Sequence, residues 1–197
     1  MSSAMSIQAA YQVSLLSSTF LCTTVFGFLL VFSIVIMPGI SLLSDANMLQ
    51  AFKTIDGIIQ RNQPVFVATW IGAVLVLILT TGLAYAPKAD VTSASKVRLL
   101  AATILFVIGQ IITVTANIPR NNRLQELKIY QLDDSTLATE RAYFEMPWRR
   151  WNTVRTVLFL VTSLLLGVTM LQEQSVLGKD SSNNRNLLEE SKVWYGA

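Results

Sequence analysis

Four long stretches of this chain carry no charge. No Asp, Glu, Lys or Arg occurs from Met1 to Ser44, from Asn62 to Pro87, from Leu99 to Pro119 or from Thr156 to Gln172. Each stretch holds at least the ~17–25 mostly apolar residues that cross a hydrocarbon core as a helix. Backbone groups in lipid must be satisfied within the segment, so helix is the form expected. The reading is four transmembrane helices, about Val13–Met37, Val65–Ala86, Val97–Ile118 and Trp151–Leu171. Only 14% of the residues are charged, against roughly a quarter in soluble domains. The expected class is all-α: an integral membrane four-helix bundle over residues 1–172, then a polar tail over 173–197, flexible, with Trp194 and Tyr195 at the interface.

Composition narrows the chemistry. The net charge is +3, but the basic residues sit beside the apolar runs, where interfacial Lys and Arg are ordinary, so nucleic acid is not an expected partner. The expected partners are membrane lipid, a hydrophobic small molecule and membrane proteins. One cysteine, Cys22, allows no intrachain disulfide, and the absence of His removes histidine-ligated metals and haem. No metal or other cofactor is expected. No basic residue precedes the first apolar run, which fits a retained helix better than a cleaved signal.

Connections follow from breaker residues. Met37-Pro38-Gly39 is expected to end helix one. Ser44 is a plausible N-cap for a short helix over Asp45–Gln60, where Met48, Leu49, Phe52, Ile55 and Ile59 recur at helical spacing. That piece would lie on the membrane or cap the bundle. The short link Lys88–Ser95 makes helices two and three an antiparallel hairpin. Between helices three and four, Asn122–Leu132 and Leu137–Glu145 read as helical pieces, and Pro147 suits the first turn of helix four. Gly72, Gly82, Gly109 and Gly167 are expected to permit close helix contact. The side with the longer connections carries nine of the fifteen Lys and Arg residues, which places it in the cytoplasm and both termini outside.

Two polar clusters stand at the mouths of helices three and four. Asn117-Ile118-Pro119-Arg120-Asn121-Asn122-Arg123 closes one, and Trp148-Arg149-Arg150-Trp151-Asn152-Thr153-Val154-Arg155 opens the other. At about 100° per residue, Trp148, Trp151, Asn152 and Arg155 share a ~100° arc, and Arg149 and Arg150 fall outside it. Gln110, Thr113, Asn117 and Arg120 form a similar stripe, joined by Asn121 if the helix continues past Pro119. Facing the two stripes toward each other avoids a cost of a few kcal/mol per polar group in lipid. A plainer reading exists for several members. Trp148 and Arg150 taken singly are ordinary interfacial anchors, and Gln110 and Thr113 can act as interhelical packing groups.

Met37-Pro38-Gly39, Gln63-Pro64-Val65-Phe66, Asn117-Ile118-Pro119-Arg120-Asn121 and Trp151-Asn152-Thr153-Val154-Arg155-Thr156, in this order, resemble the marks of the anthrone oxygenase-like membrane proteins. The resemblance covers about Val35 to Leu171. Arg120 stands where an apolar residue is usual, and Asp56 where Asn is expected. The resemblance implies a four-helix membrane fold and cofactor-independent oxygenation of a hydrophobic aromatic phenol. Arg155, Asn152 and Asn117 would then be catalytic. Trp148 and Trp151 would stack on the ring, with Arg120, Asn121, Gln110 and Thr113 completing the substrate site. The general base is left unassigned, Glu145 and Asp56 being nearest by topology. A non-catalytic accessory subunit, or a lipid- or quinone-binding helper of a larger complex, is the competing reading. A transporter or channel fits less well, because the helices bury no carboxylate and show no repeat.

Overall fold

The computed structural model describes residues 2–87 and 89–195, with side chains for 7–87 and 89–174. The described residues are helical and contain no strand. Helix α1 (Ser2–Val31) runs through a five-residue π-helical segment, Phe32–Ile36, into α2 (Met37–Ile40). Then come α3 (Asp45–Gln60), α4 (Pro64–Ala84) and α5 (Ser93–Ile112). Helix α5 passes through a second π segment, Thr113–Asn117, into α6 (Ile118–Glu126). A short 3-10 turn, Ile129–Gln131, leads to α7 (Asp134–Tyr195). Four helical stretches are long and apolar enough to cross a membrane: Ile7–Ile40, Pro64–Ala84, Ser93–Glu126 and Asp134–Gln174. The expected contacts of Trp194 and Tyr195 fall on side chains outside the described ones.

Local sequence explains most boundaries. Gln63 caps α4 by accepting the Phe66 N–H, and Pro64 fills the first turn, where its missing donor costs nothing. Thr92 caps α5 by accepting the Ser95 N–H. Three boundaries differ from the sequence reading, and a proline stands at each. Helix one does not end at Pro38; it continues to Ile40. Helix three continues past Pro119 to Glu126. Helix four begins at Asp134, so Pro147 lies inside it and not in its first turn. A proline ring in an α-helix collides with the carbonyl four residues back. At Pro38 and Pro119 the π segment just upstream widens the turn: the Met37 N–H reaches the Phe32 carbonyl, and the Ile118 N–H reaches that of Thr113. At Pro147 packing prevails, since Phe144 and Trp148 are both buried on the flanking turns.

The four long helices pack in a ring, α1 against α4 and α7, and α5 against α4 and α7. One hydrophobic core runs between them, with Tyr11, Val25, Leu77, Leu99, Phe106, Phe159 and Leu166. A second lies where α3 closes one end, formed by Met37, Met48, Leu49, Phe52, Leu124, Phe144 and Trp148. Helix α3 is thus a cap packed into the fold. Arg141 of α7 holds the loop before it: the guanidinium pairs with Asp45 at 2.9 Å and Glu145 at 2.7 Å, and donates to the Ser41 and Leu43 carbonyls. Of the four glycines, Gly109 alone is indispensable to a close approach, because a Cβ there would run into the Phe159 ring. Gly72 would meet only Leu21 at 3.4 Å, and Gly82 and Gly167 meet nothing within 4 Å, which corrects the expectation for those two. The outer faces are apolar and exposed, as at Val13, Phe20, Leu79, Val97, Leu164 and Leu171.

Candidate functional site

Between the two cores lies a cavity of about 340 Å³. Its walls come from α1 and the first π segment, from α3, α4, the second π segment, α6 and α7. Six of the nine candidate residues line it: Thr113, Asn117, Asn121, Trp148, Asn152 and Arg155. Both π segments border it, and single-turn π bulges recur at functional sites. Thr113 and Asn117, the ends of the second segment, are buried side by side on the cavity wall.

The polar groups form one ordered network. Arg155 is 4% exposed. Its Nη1 donates to Thr113 Oγ1 at 3.0 Å, and its Nη2 to Asn152 Oδ1 at 2.9 Å. Asn152 in turn donates to the Leu29 carbonyl at 3.1 Å and to Ser33 Oγ at 2.7 Å. A guanidinium only donates, so the Asn152 oxygen must face it, and the orientation of that amide is fixed. Asn117 donates to the Trp148 carbonyl at 3.3 Å. Two buried atoms of this network have no partner: Asn117 Oδ1 and Arg155 Nε. No carboxylate pairs with Arg155 among the described residues. A guanidinium stays protonated in proteins, so this is a buried positive charge held by neutral oxygens.

A carboxylate does enter the cavity, on α3. Asp56 is 3% exposed and accepts three hydrogen bonds. Gln60 and Gln125 donate to Oδ2 at 2.8 and 2.9 Å, and Asn121 donates to Oδ1 at 2.8 Å. Burial pushes the Asp56 carboxyl above its ordinary range, against the pull of Gln125, Gln60 and Asn121, which favour the charged form. Glu145, the other base candidate, is elsewhere: it is tied to Ser41, Arg141 and Arg149 and does not line the cavity.

The rest of the wall is aromatic. Phe28 stacks on Phe66 at 5.4 Å, and Phe66 on Trp70 at 5.2 Å. Trp148 meets Phe32 at 5.6 Å and Phe52 edge-on at 5.0 Å. Aromatic rings with a few converging polar groups form the usual plan of a small-molecule site.

Three candidates are placed elsewhere. Trp151 is 41% exposed and off the cavity. It sits at the edge of the arc it shares with Asn152 and turns to the outer surface. Arg120 donates to the Ala116 carbonyl at 2.6 Å and lies over the Tyr143 ring, outside the wall. Gln110 accepts from Trp70 Nε1 at 2.9 Å, so it steadies a wall residue without lining the cavity. Of the aromatic wall, sequence reasoning singled out only Trp148 as a site residue and passed over Phe28, Phe32, Phe66 and Trp70. Its signal was the i,i+4 pairs Phe28/Phe32 and Phe66/Trp70, and Phe52/Asp56 on the cap.

The sequence profile of the anthrone oxygenase family matches residues 52–165. The matched stretch contains Asp56 and the six candidates that line the cavity, and α1 lies before it. No curated protein and no solved structure matches the chain.

Proposed function

The chain belongs to the anthrone oxygenase family, with residues 52–165 of its 197 matched, and we propose that it is a membrane-embedded oxygenase of a flat, hydrophobic, anthrone-type substrate. The observation that carries this reading is Arg155, a buried cation with no anionic partner among the described residues, set in an aromatic cavity. Leaving a charge buried and unpaired costs several kcal/mol, so the site favours an occupant that brings a negative oxygen. An anthrone does so once its acidic methylene ionises, because the charge moves to the ring oxygen as an enolate.

The overall reaction needs only dioxygen: the ring methylene and O2 become a ring carbonyl and water. The carbon is oxidised by four electrons; one oxygen atom enters the carbonyl and the other leaves as water. The electron-rich enolate passes an electron to dioxygen, and the resulting pair combines at carbon to form a peroxide. Arg155 stabilises the anionic oxygen in a site that excludes water, where such an interaction is strongest. Asn117 Oδ1 is free to accept from a phenolic hydroxyl. The rings of Phe28, Phe66 and Trp148 cover the substrate faces. The exposed apolar outer surface fits lipid, where such a substrate partitions.

Purified protein in lipid nanodiscs tests the reading. It is expected to consume one O2 per anthrone, to form the quinone without releasing peroxide, and to keep its rate in the presence of a chelator. No acceleration over protein-free nanodiscs, across several anthrones, would refute it.

A further inference from the structure

We propose that Asp56 is the general base of this site, and that a Trp148–Asn121 hydrogen-bond relay positions it. The proposal rests on the oxygenase reading, whose reaction requires a base that the other cavity residues do not supply: Arg155 is a cation, and Asn117, Asn121, Asn152 and Thr113 are neutral.

The relay follows from what each group can do. Trp148 Nε1 donates to Asn121 Oδ1 at 2.8 Å. An indole N–H only donates, so the Asn121 oxygen must face it, and the amide nitrogen must face Asp56. Asn121 is therefore locked as a donor to Asp56 Oδ1. It cannot turn to accept a proton from that oxygen without breaking its bond to Trp148. The relay favours the ionised, proton-accepting form of Asp56. On Oδ2 both lone pairs are engaged by Gln60 and Gln125, whereas Oδ1 has one bond, so among the described residues only Oδ1 keeps an open position. Asp56 lines the cavity, and the proposal assigns this open Oδ1 position to the substrate C–H.

The surroundings add little other charge. Lys53 lies on its own helix and donates to the Leu127 carbonyl, and Arg61 follows the end of that helix. From α6, Asn121 and Gln125 approach as neutral amides, and Arg120 is turned to Ala116 and Tyr143. From α7, Arg155 shares the cavity. Burial raises the proton affinity of Asp56, which suits a base that must take a proton from carbon.

The proton balance closes on this one carboxylate. Asp56 takes the first methylene proton, and the electron pair goes to the enolate oxygen beside Arg155. After the enolate carbon has bonded to O2, the peroxide takes that proton back and becomes a hydroperoxide. Asp56 then removes the second proton from the same carbon. The C–H electron pair forms the carbonyl, the O–O bond breaks, and the departing hydroxide receives the proton as water.

The test uses full-length protein in nanodiscs, with three readouts. Asp56→Ala should lower kcat by about 100-fold or more, should still bind anthraquinone as read by tryptophan quenching, and should regain turnover with added formate. A merely structural role would not produce that rescue. Trp148→Phe keeps a ring and removes only the N–H. Losing a donor to the charged form raises a carboxyl pKa. The acid limb of kcat/KM and the infrared titration of the Asp56 carboxyl should therefore both move up by about half a unit to one unit. If Asp56→Ala does not fold, Trp148→Phe and Asn121→Ala carry the test. Wild-type turnover in Asp56→Ala, or intact anthraquinone binding without formate rescue, overturns the base. An unmoved infrared midpoint in both relay variants overturns the relay, whether or not any anthrone is turned over. Failure of wild-type turnover alone instead refutes the oxygenase reading.

Discussion

Arg155 and Asp56 bring opposite charges to the cavity wall, and each is held by a different set of neighbours. Arg155 sits among Thr113, Asn152 and aromatic rings, so its charge is available to an occupant. Replacing it with Met should lower kcat/KM by about 100-fold or more, the effect of losing an oxyanion donor, with the unfolding temperature held or raised. Arg150→Ala, on the outer side of the same helix, should leave both unchanged; steady-state kinetics and thermal unfolding in detergent read the contrast. Much of this network was legible in the sequence, because i,i+3 and i,i+4 spacing on one helix fixes which side chains share a face. Asp56 was not. A single carboxylate on a capping helix looks like a solvated charge until the tertiary fold brings Gln125 and Asn121 against it.

At the scale of elements, the apolar runs gave away the helices but not their ends. Pro38 and Pro119 read as helix ends and Pro147 as a helix start, yet each lies inside a continuous rod. Local rules price the lost donor and the ring clash. They do not show that a π turn can absorb the clash, or that buried packing can outweigh it. The same blindness applies to glycine, since a close approach depends on what faces the residue. Gly109→Ala should destabilise the protein by about 1–3 kcal/mol, because its Cβ meets Phe159, which is fully buried and stacked on Phe106. Gly167→Ala should be neutral or slightly stabilising. Thermal unfolding of the two variants checks the difference. The Arg141 clasp makes a further case. Arg141→Ala should cost about 1–3 kcal/mol and speed hydrogen exchange at 41–45, the loop it ties to α7.

Across the whole molecule, the cavity lies where two cores meet, beneath a cap that fastens to the ends of three rods. The outer faces of the long helices are apolar and exposed, as suits helices long enough to cross a membrane. The family match takes in Asp56, Thr113, Asn117, Asn121, Trp148, Asn152 and Arg155, and leaves out the wall residues Phe28, Leu29 and Phe32. Under the proposed function this cavity stabilises an aromatic enolate at Arg155, and an absorption spectrum taken without oxygen reads that species itself. Mixed anaerobically with an anthrone at neutral pH, the wild-type protein should develop the red-shifted band of the bound enolate, which disappears as quinone forms on admitting air. Arg155→Met should show the spectrum of the neutral anthrone. Absence of the enolate band in the wild type, or an equal band in Arg155→Met, would contradict the account.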